Sequence, residues 1–294
     1  MAKMDEKTWD DKSIEITKTA MDQRIKTGTS YRGWQHTVKL LFQNGIPFKE
    51  LKVAEVGCGT GTFSLTFGLL GASVTLIDFN QNVLDRTKKI YDLYDCRARF
   101  IRANCLEPAS SEISGDFDLV ISGGLAEHFT GEDRERCILY PRLLLKEGGI
   151  AFIGVPNMYS PFYQWIRFFR KLTGTWGIEL EVPFSNTELK RLAAKAGFKN
   201  FYVIGNAPLP RDLLVYSCGF VSALIDTLPD TFQKRLKMWK SGIKIPERLV
   251  SSAQEDIKSF CANKVESIRQ NAHKMPGDFW ADRFSAGLIL FAFN

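Results

Sequence analysis

The sequence predicts an α/β fold: a doubly wound, seven-stranded sheet, its last strand antiparallel, with a helical cap inserted before that strand. Three observations predict it. From residue 51 to 205, short β-rich apolar runs alternate with helical patterns, as expected of a parallel sheet covered by helices on both faces. A charged stretch without a strand pattern, 206–285, then breaks the rhythm. The chain closes on GLILFAFN (287–294), one further strand. The expected organisation is an N-terminal helical segment at 1–50, a core at 51–205 plus 286–294, and the cap at 206–285.

The elements follow in order. Residues 1–30 are polar apart from Trp9 and a few others, which suits a short helix or a loosely held arm. In YRGWQHTVKLLFQNG (31–45), Trp34, Val38, Leu41 and Phe42 recur at helical spacing; Gly45 suits the stop, and Pro47 prevents continuation. LKVAEVG (51–57) is an apolar strand run ending in glycine. A helix over 61–70 stops at Gly71, SVTLID (73–78) is the second strand, and Asn80 opens a helix over 80–92. RARFIR (97–102) and FDLVISG (117–123) are the third and fourth strands. A helix over 132–146 leads through Lys146, Glu147 and two glycines to a fifth strand, GIAFIGV (149–155). Ser185 and Glu188 form a capping box for a helix over 185–196, Gly197 ends it, and FKNFYVIG (198–205) is the sixth strand.

Composition removes several classes. Hydrophobic residues at 45% and charged residues at 24% are ordinary globular usage, which excludes a disordered chain, a collagen and a coiled-coil rod. No apolar run approaches the ~20 residues of a spanning helix; the longest soft stretch, Leu213 to Ile225, is interrupted by Ser217, Gly219 and Ser222. The start, MAKMDEKTWDDK, has no apolar h-region and does not read as a secretory signal. A net charge of +6 is too mild to be a nucleic-acid footprint by itself. The cysteines at 58, 96, 105, 137, 218 and 261 include no CxxC pair, and the histidines at 36, 128 and 273 cluster with none of them, so no metal site is expected. Reduced, mostly buried thiols point to a cytoplasmic protein.

The chemistry sits in EVGCGTGTF (55–63), which follows the first strand and opens a helix. Glycines allow a tight turn and let a ligand approach the backbone, and amides at the helix start can face a polar or anionic group. Asp78 ends the second strand, where a carboxylate can accept from both hydroxyls of a ribose. Loop, strand context and acid together point to a nucleoside-containing ligand in a Rossmann-like fold. An NAD-dependent oxidoreductase is the competing reading. Against it, the spacing is GxGxG with Glu55 before it rather than GxGxxG, and no second mononucleotide half follows.

With EVGCGTG and a strand ending in Asp78, the chain resembles the class I S-adenosylmethionine-dependent methyltransferases over roughly residues 50–205 plus the last strand. FDLVISGGLAEHF and LLLKEGGIAFIGVPN are similar to that family's fourth and fifth strands. The resemblance implies S-adenosyl-L-methionine as cofactor. It places Glu55 under the methionine moiety, Gly57, Cys58, Gly59 and Gly61 in the loop around the cofactor, Asp78 on the ribose and Phe79 on the adenine. Asn104 stands where the family usually has Asp near the adenine amino group; Cys105 beside it and Gly123 at the fourth strand's end complete the expected contacts.

Methyl transfer to an acceptor needs mainly alignment, with a base only if the acceptor arrives protonated. Glu127 and His128, just past the fourth strand, are the catalytic candidates, at the carboxyl edge where open α/β sheets bind ligands. The stretch SGGLAEHF is unlike the NPPY-type motif of methylases acting on base amino groups. A small-molecule acceptor is therefore expected, oxygen before nitrogen. The aromatic segment around Pro161, Phe162, Tyr163, Trp165, Phe168 and Phe169, with Arg167, Arg170 and Lys171, either packs a cap or lines an acceptor pocket. The basic run Lys234, Arg235, Lys237, Lys240 and Lys244 reads as an amphipathic surface helix. A non-catalytic module that binds S-adenosylmethionine or S-adenosylhomocysteine is the alternative.

Overall fold

The computed structural model describes residues 17–172, 181–206, 256–271, 282–283 and 285–294. Two helices, α1 (Lys18–Gly28) and α2 (Arg32–Gln43), precede β1 (Lys52–Val56). Then come α3 (Thr62–Leu69), β2 (Ser73–Asp78), α4 (Gln81–Asp92), β3 (Ala98–Arg102) and β4 (Phe117–Gly123). A single 3₁₀ turn (Ala126–His128) leads into α5 (Gly131–Leu144), β5 (Leu145–Pro156) and α6 (Pro161–Leu172). The described chain ends with α7 (Asn186–Lys195), β6 (Asn200–Gly205), α8 (Ile257–Asn271) and β7 (Gly287–Phe293).

The seven strands form one sheet in the order β3-β2-β1-β4-β5-β7-β6. Neighbours from β3 to β5 are parallel, and β7 runs antiparallel to both β5 and β6. The expected seven-stranded sheet and its reversed last strand are both present. The carboxyl ends of β1, β2 and β4 therefore share one edge.

Strand alternation divides the core. On β4, Val120 joins α5 and α7 through Ile138, Leu189 and Leu192, while Leu119 and Ile121 face Trp34 and Leu41 of α2. α3 and α4 bury Leu65, Leu69, Val83 and Ile90 against β2 in a third cluster, where Met21 and Ile25 of α1 are also fully enclosed. So the N-terminal segment is packed from residue 17 onward. α8, the described part of the 206–285 insertion, packs its Val265 and Ile268 beside α2 on the sheet face. Residues 207–255 and 272–281 of the expected cap, including the basic run at 234–244, and Trp9 lie outside the described residues.

Two local expectations are corrected. The helix expected over 132–146 ends at Leu144, and β5 begins at Leu145 rather than at 149. Leu145 pairs with Phe117, and Asn294 donates to its carbonyl at 2.9 Å, so tertiary pairing takes residues that helical patterning would keep. Ser185 caps α7 as expected, accepting from the Glu188 amide at 3.0 Å. The Glu188 carboxylate, however, reaches across to Arg134 at 3.1 Å.

Candidate active site

The turn after β1 is held by main chain. The amides of Gly57 and Cys58 donate to the Ile77 carbonyl at 2.9 and 3.3 Å, and the Gly61 amide donates to Cys58 O at 2.7 Å. Gly57, Gly59 and Gly61 all have left-handed φ angles, +64°, +54° and +61°. Their surroundings differ. A Cβ on Gly61 would stand 2.8 Å from Thr87 and 3.1 Å from Tyr91, whereas a Cβ on Gly59 would meet no atom within 4 Å. Helix packing therefore demands the glycine at 61. At 59 the backbone borders open space, the kind of cradle a ligand needs.

Asp78, 8% exposed at the end of β2, faces this loop. Burial raises its carboxyl pKa, against the opposing effect of main-chain amides of Asn80, Gly59 and Phe79 and of the nearby Arg86 charge. The Asn80 amide donates to Oδ1 at 3.0 Å, and the Cys58 thiol approaches Oδ2 at 3.9 Å. Burial beside Asp78 and Glu55 pushes that thiol pKa far up, so Cys58 is a neutral donor rather than a nucleophile. Asp78 is thus a buried carboxylate held at the loop by main-chain amides and the Cys58 thiol.

Glu55 is buried and turned toward α3. Its Oε2 accepts from the Ser64 amide at 3.1 Å and from the Ser64 hydroxyl. Burial raises its pKa to about 7, only partly offset by these bonds. Phe79 is half-buried, with its carbonyl accepting from Arg102 at 3.0 Å. Asn104 accepts the Leu106 amide at 3.0 Å through Oδ1 and donates toward Glu107 at 3.3 Å. The Cys105 side chain is buried in the core with Cys137, so the loop offers only its main chain there. Gly123 is exposed at the β4 terminus.

Past β4, the 3₁₀ turn places Glu127 and His128 at 4% and 8% exposure. Glu127 Oε1 lies 3.5 Å from where a Cβ on Gly124 would stand. Burial raises the Glu127 pKa to about 8; the Glu181 charge adds to the rise, and its own amide and Arg134 oppose it. Its Oε2 is buried with no hydrogen-bond partner among the described residues. A short strap, 181–184, runs against this turn. The Val182 amide donates to Glu127 O at 2.8 Å, Arg134 donates to Val182 O at 2.6 Å, and Phe184 bridges to Asn157. Glu181 accepts from the Tyr163 hydroxyl, and Arg167 donates to its carbonyl at 2.8 Å. The Arg134 guanidinium stacks 3.4 Å over the Phe184 ring. Arg134 and Glu181 escaped the sequence reading: Arg134 sits in the run GEDRER, which looks like a solvated helix start.

The open space at Gly59 and the buried Asp78 fit a nucleoside. The family model described as a methyltransferase domain matches residues 53–149. The mitochondrial ubiquinone biosynthesis O-methyltransferase of Rattus norvegicus is 33% identical over 139 residues, 46% of this chain and 36% of that protein. Its namesake from Azotobacter vinelandii is 32% identical over 112 residues, 38% of this chain and 47% of that protein. The matched part thus spans less than half the length of either relative. Among solved structures, a Galdieria sulphuraria protein assigned as a sarcosine dimethylglycine methyltransferase aligns with TM-score 0.51 at 14% identity, over 88% of this chain and 83% of that one, a likeness of fold. Residues 53–149 are thus similar to a methyltransferase domain, for which S-adenosylmethionine is the cofactor.

Proposed function

We propose that this chain transfers the methyl group of S-adenosylmethionine to a small-molecule acceptor, an oxygen before a nitrogen. The observation that carries the reading is the pairing of an open backbone cradle at Gly59 with the buried Asp78 carboxylate. O-methyltransferase names among the relatives support oxygen as the acceptor atom. When bound, the cofactor supplies a methyl group already activated on a sulfonium. In this reading Asp78 holds the ribose and Gly57–Gly61 surround the cofactor, with Glu55 stiffening the loop through Ser64. Phe79, Asn104, the main chain at Cys105 and Gly123 border the adenine and the edge beyond it.

His128 is the proposed base for an acceptor that arrives protonated. Glu127, with its pKa near 8, is mostly protonated at neutral pH. It then serves as a hydrogen-bond donor to the acceptor and gains base character only as pH rises. The antiparallel β7 between β5 and β6 stands where a dinucleotide enzyme would continue its parallel half, which argues against the oxidoreductase. The described cysteines are all free, which supports a reducing, cytoplasmic setting.

Calorimetry with S-adenosylhomocysteine tests the core of the proposal: one site per chain is expected, and NADH binding in its place would overturn it. Cofactor binding without transfer to any acceptor in a radiolabelled-methyl screen would identify the non-catalytic module instead. His128→Ala is expected to keep cofactor affinity and lower turnover by roughly 10²–10⁴-fold. A loss of cofactor binding or stability in that variant would make His128 structural.

A further inference from the structure

Exposed hydrophobic surface is unevenly distributed. Among the described residues, every large hydrophobic side chain classed as exposed, apart from Leu93 and Leu143, falls between the end of β5 and the end of α6. Met158 and Tyr159 precede the helix. Trp165, Phe168 and Leu172 follow on it, at 55%, 62% and 71% exposure. Their spacing of three and then four residues puts them in one stripe. The opposite side of α6 is anchored: Tyr163 is buried and bonded to Glu181, and Arg167 holds the Glu181 carbonyl. The stripe is thus presented outward by a helix that is fixed from behind.

Charge on this segment has one sign. From Asn157 to Leu172 there is no Asp or Glu, while Arg167, Arg170 and Lys171 are present. Arg167 belongs to the anchored side; a contiguous aromatic and aliphatic patch with the exposed Arg170 and Lys171 at its helix end is the pattern of a helix that lies in a bilayer interface. We propose that α6 seats this face on an anionic phospholipid surface. Its 12 residues are too few to cross a bilayer, and no described helix is long and apolar enough to do so. A second copy of the chain is the poorer occupant, because a two-fold contact would bring the same basic residues together, whereas acidic headgroups complement them. Because α6 backs onto the strap beside Glu127, docking would bring the acceptor side to the lipid surface. That consequence rests on the methyltransferase reading; the docking does not.

Sedimentation with phosphatidylcholine vesicles, with and without phosphatidylglycerol, tests it on the intact chain. Binding is expected to be roughly tenfold or more tighter on the anionic vesicles and to weaken with salt. Phe168→Ser combined with Leu172→Ser is expected to weaken it by roughly tenfold or more, with S-adenosylhomocysteine affinity and thermal melting retained. Leu93→Ser, on an exposed apolar residue elsewhere, is expected to bind as the parent does. Should the double variant fail to fold, Lys171→Glu takes its place, with a loss of roughly fivefold expected. Absence of vesicle binding, or binding that none of these changes reduces, overturns the proposal. So does a concentration-dependent dimer in sedimentation velocity that the same variants abolish. Loss of cofactor affinity in the parent protein would count against the methyltransferase reading alone.

Discussion

At the β1–β2 end of the carboxyl edge, the Gly57, Cys58 and Gly61 amides are bonded to main-chain carbonyls, and Asp78 and Glu55 accept from main-chain amides. At the β4–β5 end, Glu127 Oε2 and the Nε atoms of Arg134 and Arg167 are buried with no partner among the described residues. The first region is tied together by its own main chain, with the Arg86 Nε its one buried side-chain atom without a hydrogen-bond partner among the described residues. The second keeps unspent polar groups around a buried carboxyl. Burying them without partners costs free energy, and an acceptor or ordered water that supplies the missing bonds recovers it. The contrast teaches that preorganisation here is greatest where the ligand is expected to be constant.

Substitutions can break this comparison, beginning with the largest effect. Gly61→Val meets both a left-handed φ and close helix atoms. Strain and overpacking each cost about 1–3 kcal/mol, so the variant is expected to lose on the order of 4 kcal/mol in denaturant melts or not to fold. Gly59→Val has only the backbone strain, about 1–2 kcal/mol. It is expected to fold and yet lose S-adenosylhomocysteine binding by calorimetry. Equal behaviour of the two variants would erase the distinction between a packing glycine and a ligand-facing one.

Next comes pH. Glu127 is raised to about 8 and Glu55 to about 7 in the folded protein, above the ordinary 4.5. The folded state therefore holds these protons more tightly than the unfolded one. Their contribution is full below pH ~4.5 and declines as pH rises, to about 7 for Glu55 and about 8 for Glu127. Glu127→Gln cannot ionise. Relative to the parent it is expected to gain stability between pH 5 and 8, by as much as a few kcal/mol at the upper end. Parallel stability curves for the two proteins would show that Glu127 is not held protonated.

Smaller effects sharpen the cofactor side. Asp78→Asn keeps the shape but removes the charge that a ribose would bond, and hydrogen bonds to charged groups contribute about 1.5–3 kcal/mol. Cofactor affinity is expected to fall by about tenfold or more; unchanged affinity in a folded variant would remove Asp78 from the site. Ser185→Ala, next to the strap of the second region rather than in the loop after β1, deletes the α7 cap and is expected to cost about 1 kcal/mol in a thermal melt without changing cofactor affinity.

What the sequence by itself determined is the local part. The alternation of runs between 51 and 205 specified strands and helices because burial on both faces imposes that periodicity. Asn80 announced α4 because its side chain caps the Asn82 and Val83 amides. The glycine loop and Asp78 were legible because each acts on neighbours in its own βαβ unit. Tertiary structure decided the remainder. Leu145 joined β5 through Phe117 and Asn294, partners far away in sequence. Glu188 left its own cap for Arg134. Glu127, Glu181, Tyr163 and Arg134 became one cluster only when the strap at 181–184 was laid against the turn after β4. Charged and hydroxylated side chains carry no periodic signal of their own, so a buried polar site assembled across long loops is visible only once the fold has brought it together.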